Sequence, residues 1–316
     1  MSGMDYQKNL CVFILLFLFD QSLPELAPKV QVCDESHADD LQEGNIGESE
    51  HFPWLGILRV HLHEFNQLKI AVTGLVLVKE RHAIANAEDL SKIPKPVFMQ
   101  DSKAMFIPKR GEPWFTKPVD YMIHPEFEFS TYNTIALVEL EVEQGTMPFK
   151  PVCWPGNFFN TSNQLYALGY TDDNKLLEKT VYSLQYVKPS LCQEFYNRAG
   201  FAEPKSAPMY VQCGFAPNNK KDCTWENGMA MVSNSTGKWT LIGFGVRGPG
   251  CSAPARFIDM SAYLPWVETA TDLEQINDYP DFRRKTAFNV GFKRRSSYDH
   301  CEFLISAPFC TAHVSI

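Results

Sequence analysis

The alternating histidines His61 and His63 are the first residues whose spacing invites a chemical interpretation. They lie in a predicted β-strand, and because alternate side chains of a strand point to one face, both imidazoles could reach the same ion. A zinc site needs three or four protein ligands, and the sequence places no third ligand beside this pair. We therefore expect two surface histidines, with no bound metal and no other cofactor.

The nine cysteines offer a second kind of chemistry, since this number suits an oxidising compartment. Cys11 lies in the apolar run 9–19, which follows Lys8, is too short to span a bilayer and is typical of a secretory signal. A buried strand or a short anchor is the alternative. Loss of residues 1–22 as a signal peptide leaves an even number of cysteines, which in an exported chain implies disulfides. The remaining cysteines are Cys33, Cys153, Cys192, Cys213, Cys223, Cys251, Cys301 and Cys310.

Two glycosylation sequons, at Asn160 and Asn234, agree with export. The chain is 45% hydrophobic and 21% charged, which is ordinary for a soluble globular protein. Its formal net charge of −8 argues against a nucleic-acid partner held by bulk charge. We expect a secreted, extracellular glycoprotein that has no membrane span once the signal is removed.

Short β-type runs separated by turn residues must position any site in this chain. Their close spacing favours an all-β barrel or sandwich. Helical patterns are restricted to Ser190–Ala199 and Ser261–Ala270, with Ser261 as the expected N-cap. The β-type runs are Leu55–Leu62, Leu68–Val78, His82–Asn86, Ile135–Glu141, Gln164–Gly169, Leu177–Val187, Met209–Cys213, Met229–Val232, Trp239–Val246 and Arg256–Met260.

Charge patterning divides the chain further. Residues 23–46 form an acidic lead-in that we expect to be solvated, because 34–50 contains seven acids and no Lys or Arg. The folded domain is expected over 47–269. Residues 270–316 form a C-terminal extension with basic clusters at 283–285 and 293–295. A solvated tail is favoured there, and the alternatives are binding to an anionic surface or cleavage by a processing protease.

Five segments, in order, resemble the trypsin/chymotrypsin family of serine proteases and cover roughly residues 47–269. The resemblance implies two six-stranded antiparallel β-barrels, followed by a short C-terminal helix and the tail. The segments are Phe52–Trp54, Thr73–Val78 with Ala83–Glu88, Ile123–Phe127 with Asn133–Leu140, Asp222–Val232, and Gly243–Cys251 with Trp266.

The same resemblance implies three catalytic positions, and each holds an unsuitable side chain. Acyl transfer by this family needs a hydroxyl nucleophile, an imidazole base and a carboxylate that orients the base. Glu88 stands at the imidazole position, Thr134 at the carboxylate position and Asn227 at the nucleophile position. Asn227 has no ionisable hydroxyl, Glu88 is a weak base at neutral pH, and Thr134 cannot stabilise an imidazolium. The resemblance therefore predicts a catalytically inactive homologue.

The specificity pocket implied by the resemblance is also altered. Lys221 stands at its floor, Val246 and Arg247 line its wall, and Ala255 replaces a glycine. Trp225 stands where a small residue normally leaves room for an oxyanion, so its ring would crowd that hole. A cationic floor with Arg247 beside it would not accept a basic or a large apolar side chain.

The disulfides implied by the resemblance are Cys33–Cys153, Cys192–Cys213 and Cys223–Cys251. Cys301 and Cys310 remain to close a small loop on each other. The family's bridge beside the catalytic imidazole is missing at both ends, where Thr73 and Asp89 stand. Loss of both partners leaves no unpaired thiol.

Segments 47–54 and 254–260 resemble those of insect serine protease homologues, and since only Cys33 precedes the domain, the six-cysteine clip domain of many such proteins is absent. The resemblance implies a secreted, non-catalytic protein that binds a protease, a substrate protein or a surface ligand. It would regulate, or act as a cofactor in, an extracellular protease cascade or an innate immune cascade. One alternative is an active serine-type endopeptidase with an atypical centre. Another is a decoy for protease inhibitors, against which Lys221 argues.

Overall fold

The computed structural model describes residues 32–36, 41, 43–64, 67–128, 132–143, 145–155, 164–171, 178–200, 210–216, 228–234, 237–246 and 253–277. The chain divides into two units, with the boundary between Thr269 and Ala270. Of the second unit, only residues 270–277 are described, and they continue the last helix. Within the described ranges, no helix is both long enough and apolar enough to cross a membrane.

The strands pair antiparallel in two sheets. In chain order they are β1 (Gly44–Gly47), β2 (Leu55–Glu64), β3 (Gln67–Lys79), β4 (His82–Asn86), β5 (Ser102–Lys109), β6 (Glu112–Thr116), β7 (Pro118–Ile123), β8 (Ile135–Leu140), β9 (Leu165–Thr171), β10 (Glu178–Val187), β11 (Val211–Phe215), β12 (Ala230–Ser233), β13 (Thr240–Gly245) and β14 (Ala255–Asp259).

The first sheet has the order β6-β5-β2-β3-β4-β8-β7 and curves without closing, since no pairing between described residues joins β6 to β7. Strands β4 and β8 of this sheet are almost entirely buried, because both of their faces are covered. The second sheet has the order β1-β10-β11-β14-β13-β12-β9, and pairing of β9 with β10 closes six of these strands into a barrel. The expected all-β, trypsin-like double-barrel fold is confirmed.

The described residues also form four helices, three between strands and one after the last strand. They are α1 (Ala87–Leu90), α2 (Lys95–Asp101), α3 (Pro189–Arg198) and α4 (Met260–Asn277). The last helix is longer than expected, and its expected N-cap is wrong. Asp259 caps it instead, since Asp259 Oδ1 accepts from the backbone N–H of Ser261 at 3.0 Å and from the Ser261 hydroxyl at 2.6 Å. A carboxylate at a helix start satisfies free backbone N–H groups and suits the helix dipole.

A buried lysine, Lys179 on β10, connects the two sheets. Its side chain is fully buried, and its Nζ donates to the carbonyl oxygens of Ser49 at 2.9 Å, His51 at 2.7 Å, Phe52 at 3.2 Å and Ile107 at 3.1 Å. Ile107 belongs to β5, so this cluster joins the second sheet to the first sheet and to the segment that leads into it. Burial by itself lowers the pKa of Lys179 to about 7, whereas the carbonyl oxygens favour the ammonium, which can donate three hydrogen bonds.

In the described part of the acidic lead-in, Glu35 and Glu43 are exposed, and the expectation of a solvated segment is wrong only at Cys33 and Asp34. Cys33 and Asp34 are buried, and the indole Nε1 of Trp54 donates to Asp34 Oδ2 at 2.9 Å. The backbone N–H of Asp34 donates to the carbonyl of Pro151, and β1 pairs with β10. Asp34 can be buried because the Trp54 indole donates a hydrogen bond to its carboxylate and the Cys33 disulfide holds this segment against the domain.

Candidate functional site

Asn86 organises the part of the site that contains Glu88 and Thr134. It is the last residue of β4, is buried, and caps α1 with its side chain. Its Oδ1 accepts from the backbone N–H of Glu88 at 2.8 Å, from that of Asp89 at 3.4 Å and from the hydroxyl of Thr134 at 3.2 Å. Two of the three predicted catalytic positions are therefore brought together through one amide oxygen. An Asn followed, after Ala87, by two acids in the first turn is a sequence signal for a helix N-cap, so this residue could have been found without the structure.

Glu88 lies in the first turn of α1, and its side chain is 15% exposed. Its Oε1 lies 3.2 Å from the Nζ of Lys92, one helical turn further along the chain. The predicted base position therefore carries a carboxylate paired with a lysine at the surface.

Thr134 is fully buried immediately before β8. Its hydroxyl donates to Asn86, and its carbonyl accepts from the backbone N–H of Ala87 at 3.3 Å. The preceding residue, Asn133, has a φ of +48° and accepts a hydrogen bond at 2.6 Å from the hydroxyl of Tyr263. This geometry holds Thr134 as a neutral structural group that can supply no negative charge.

Thr73 and Asp89 stand where the family has the two cysteines of the bridge beside the catalytic imidazole, and here a side-chain hydrogen bond joins them. The hydroxyl of Thr73 on β3 donates to Asp89 Oδ2 at 2.8 Å. Thr73 is buried, and Asp89 follows Glu88 in α1. This bond ties α1 to β3 without a covalent link, so the two substituted residues interact with each other directly.

Gly228 shows where the segment that follows Asn227 runs. Asn227 itself lies outside the described residues, but Gly228 has a φ of +81°, and its N–H donates to the carbonyl of Gly245 at 3.1 Å. A Cβ at Gly228 would lie 3.2 Å from Cζ of Phe244 and 3.7 Å from the carbonyl oxygen of Gly74. Gly74 follows Thr73, so this segment reaches β3 beside the Thr73–Asp89 hydrogen bond.

Two of the predicted pocket residues are described. Val246 follows β13, is fully buried, and donates its backbone N–H to the carbonyl of Arg256 at 3.0 Å. Ala255 begins β14 opposite Gly214 and packs in one apolar cluster with Met229. Both residues therefore form part of the core of the second barrel. The other predicted pocket residues, Lys221, Trp225 and Arg247, lie outside the described residues.

The disulfides Cys33–Cys153 and Cys192–Cys213 are present, as expected. The first ties the lead-in to residue 153, and the second ties α3 to β11. The remaining cysteines, Cys223, Cys251, Cys301 and Cys310, and the sequon at Asn160 fall outside the described residues, whereas Asn234 directly follows β12 and is partly exposed.

No group of three His, Cys, Asp or Glu side chains within the described part of the chain could hold a metal ion. His61 lies on β2, and the side chain of His63 is outside the description. His124 packs against the rings of Tyr263 and Trp266, with centroids 5.5 and 5.0 Å away, and its Nδ1 accepts from the backbone N–H of Glu126. Burial lowers the pKa of His124, and the Glu126 carboxylate opposes this effect. These contacts give His124 a structural role.

The family model for trypsin matches residues 71–267. The match covers more than half of the 316-residue chain and includes Glu88, Thr134 and the segment around Asn227. The chain belongs to the trypsin family. The double-barrel fold described above agrees with this match.

Proposed function

We propose that this chain is a secreted, non-catalytic member of the trypsin family that acts by binding another protein. The observation that carries the proposal is the hydrogen bonding of Thr134, whose buried hydroxyl donates to Asn86 in the place assigned to the orienting carboxylate. With no negative charge at that point, an imidazolium formed during acyl transfer would not be stabilised.

The other two assigned positions support the same proposal. Glu88 is a carboxylate paired with Lys92, and it stands where an active member of the family needs an imidazole. Asn227 offers an amide, which has neither a nucleophilic oxygen nor a proton that a weak base removes. Any one of these replacements impairs general-base catalysis. Together they leave none of the three assigned positions with the nucleophile, the base or the orienting carboxylate that the family's reaction needs.

Binding is the function that remains for a rigid scaffold without these groups. Loops on a double barrel present side chains in fixed positions, which suits the recognition of a protease, a substrate protein or a surface ligand. The disulfides Cys33–Cys153 and Cys192–Cys213 suit an extracellular setting. We propose a regulator or cofactor in an extracellular protease cascade, such as one of innate immunity.

A fluorophosphonate probe tests the non-catalytic character, because it modifies only an activated serine. We expect no labelling of the folded, disulfide-intact protein under conditions that label active trypsin fully, and the same background as in the heat-denatured chain. Labelling that maps to one serine and disappears on denaturation would refute the proposal and favour the active endopeptidase with an atypical centre.

Cross-linking followed by mass spectrometry in the native secretion tests the binding role. We expect cross-links to a protease, to a protease substrate or to a surface ligand. Recovery of serpin-like inhibitors instead would favour the decoy.

A further inference from the structure

The outward face of the first sheet carries large apolar side chains that nothing in the described residues covers. Ile70 and Val72 on β3 are 53% and 49% exposed, and Phe115 on β6 is 44% exposed. Inward-facing neighbours such as Leu58 and Val60 are fully buried. An outward row of this kind is unusual, because exposed strands normally present polar side chains to water.

Two cations lie between these apolar side chains. Arg59 on β2 is directly opposite Val72 on one side and Lys103 on the other, so all three side chains share one face. The Nζ of Lys103 lies 3.9 Å from the ring centroid of Phe115. From β3 to β6 this face therefore presents an apolar side chain (Val72), two cations and a second apolar side chain (Phe115).

The charge of this face opposes that of the whole chain. Neither Arg59 nor Lys103 has a carboxylate within ion-pair distance among the described residues, although the chain has a formal net charge of −8. Neighbouring strands lie about 4.8 Å apart, so the four adjacent strands β3, β2, β5 and β6 span about 14 Å. Four or five residues of an extended chain cover that distance at about 3.3 Å each.

We propose that this apolar–cationic face, formed by Arg59, Ile70, Val72, Lys103 and Phe115, docks an extended segment of a partner protein. The segment carries two or more carboxylates flanked by large apolar side chains. The carboxylates pair with Arg59 and Lys103, and the apolar side chains cover Val72 and Phe115. Arg59 can hold a carboxylate through two parallel hydrogen bonds, which gives the contact direction as well as attraction.

A second copy of this chain fits the face less well than an acidic partner does. In a two-fold symmetric dimer the same patch meets itself, which would bring the two cations of one face towards the two cations of the other. Val72 and Thr73 are consecutive in β3, so their side chains point to opposite faces of the sheet and this docking surface is not part of the candidate site. The proposal therefore goes beyond the proposed function and does not depend on whether that site is catalytic.

The test uses fluorescence anisotropy with the full secreted protein and a labelled seven-residue probe peptide. The peptide has a central Glu-Asp-Glu flanked on each side by Leu-Phe, with blocked ends, and its matched control has Gln-Asn-Gln in the centre. We expect the acidic peptide to bind at least tenfold more tightly than the amide peptide at 50 mM NaCl, and this advantage to shrink at 500 mM NaCl.

Matched variants assign the binding to the face. Arg59→Gln with Lys103→Gln should weaken binding of the acidic peptide at least tenfold, whereas Lys150→Gln with Lys188→Gln, which changes the net charge equally at exposed positions elsewhere, should change it less than twofold. Val72→Ser should weaken binding at least threefold, and Leu191→Ser, at an equally exposed apolar position on α3, should not. Since Arg59 is partly exposed and the other side chains are exposed, thermal unfolding should show that each variant folds.

Three results would overturn the proposal. Equal binding of the acidic and amide peptides would remove the role of the cations. Sensitivity to the two cations without sensitivity to Val72, together with tighter binding to a heparin oligosaccharide than to the peptide, would identify a polyanion site instead. Dimerisation in sedimentation analysis that Val72→Ser abolishes would assign the face to a second copy of this chain.

Discussion

Replacing Lys179 by methionine should destabilise the protein even though methionine is the more apolar side chain. Lys179→Met keeps a long unbranched side chain in the buried position and removes only the charged, hydrogen-bonding end. The carbonyl oxygens of Ser49, His51, Phe52 and Ile107 then lose the donor they share. The substitution therefore separates the hydrogen bonding of Nζ from the packing of its methylene groups.

The magnitude follows from two opposing effects. The ammonium can donate three hydrogen bonds, and charge-assisted hydrogen bonds contribute about 1.5–3 kcal/mol each, or about 5–9 kcal/mol together. Burial by itself lowers the pKa from 10.5 to about 7, which corresponds to a cost of roughly 5 kcal/mol for the charged form. Phe52 O also accepts from the backbone N–H of Leu55, so it loses least. The difference is about 0–4 kcal/mol, so we expect Lys179→Met to lower the free energy of unfolding by about 2 kcal/mol.

The assay is urea or thermal unfolding at pH 6, where the lysine is protonated, with the disulfides intact. About 2 kcal/mol corresponds to a fall of about 4–8 °C in the unfolding midpoint for a domain of this size. Lys188→Met, at an exposed position at the start of α3, should stay within about 0.5 kcal/mol of the parent. If Lys179→Met were as stable as the parent, the carbonyl cluster would contribute nothing net, and its role in joining the two sheets would be refuted.

Three further predictions concern the described residues. Asn86→Ala should lower the free energy of unfolding by about 1–3 kcal/mol in urea unfolding, because its Oδ1 caps α1 and accepts the buried Thr134 hydroxyl, whereas Asn197→Ala on exposed α3 should have little effect. Because burial lowers the pKa of His124, the unfolded chain binds more protons than the folded chain as the pH falls below about 6.5. The free energy of unfolding should therefore fall from pH 7 to pH 5 more steeply in the parent than in His124→Gln. Equal slopes for the two proteins would contradict this. Asn234 directly follows β12 and is partly exposed, so the protein from a secreting host should lose mass on endoglycosidase treatment, and Asn234→Gln should reduce that loss.

Much of the fold could be predicted from the sequence because it depends on local patterns. Runs such as 135–141 and 239–246 are apolar enough to mark strands on their own, and the order of the family-like segments indicates the double barrel. Strands β5, β6 and β7, over residues 102–123, were missed. Their apolar runs are short and contain Pro108 and Pro113, and a proline inside a run argues against a strand when only the sequence is read.

The candidate site shows the same division. The sequence alone determined which side chains stand at the assigned catalytic positions, and the family resemblance placed the two disulfides found among the described residues, because side-chain identity and family spacing do not depend on conformation. Only the tertiary structure decided what those side chains do. The Asn86–Thr134 and Thr73–Asp89 hydrogen bonds join residues 48 and 16 positions apart, and the carbonyl cluster of Lys179 joins residues up to 130 positions apart. A sequence pattern carries no distance between such groups, so their partners are fixed only when the two sheets pack together.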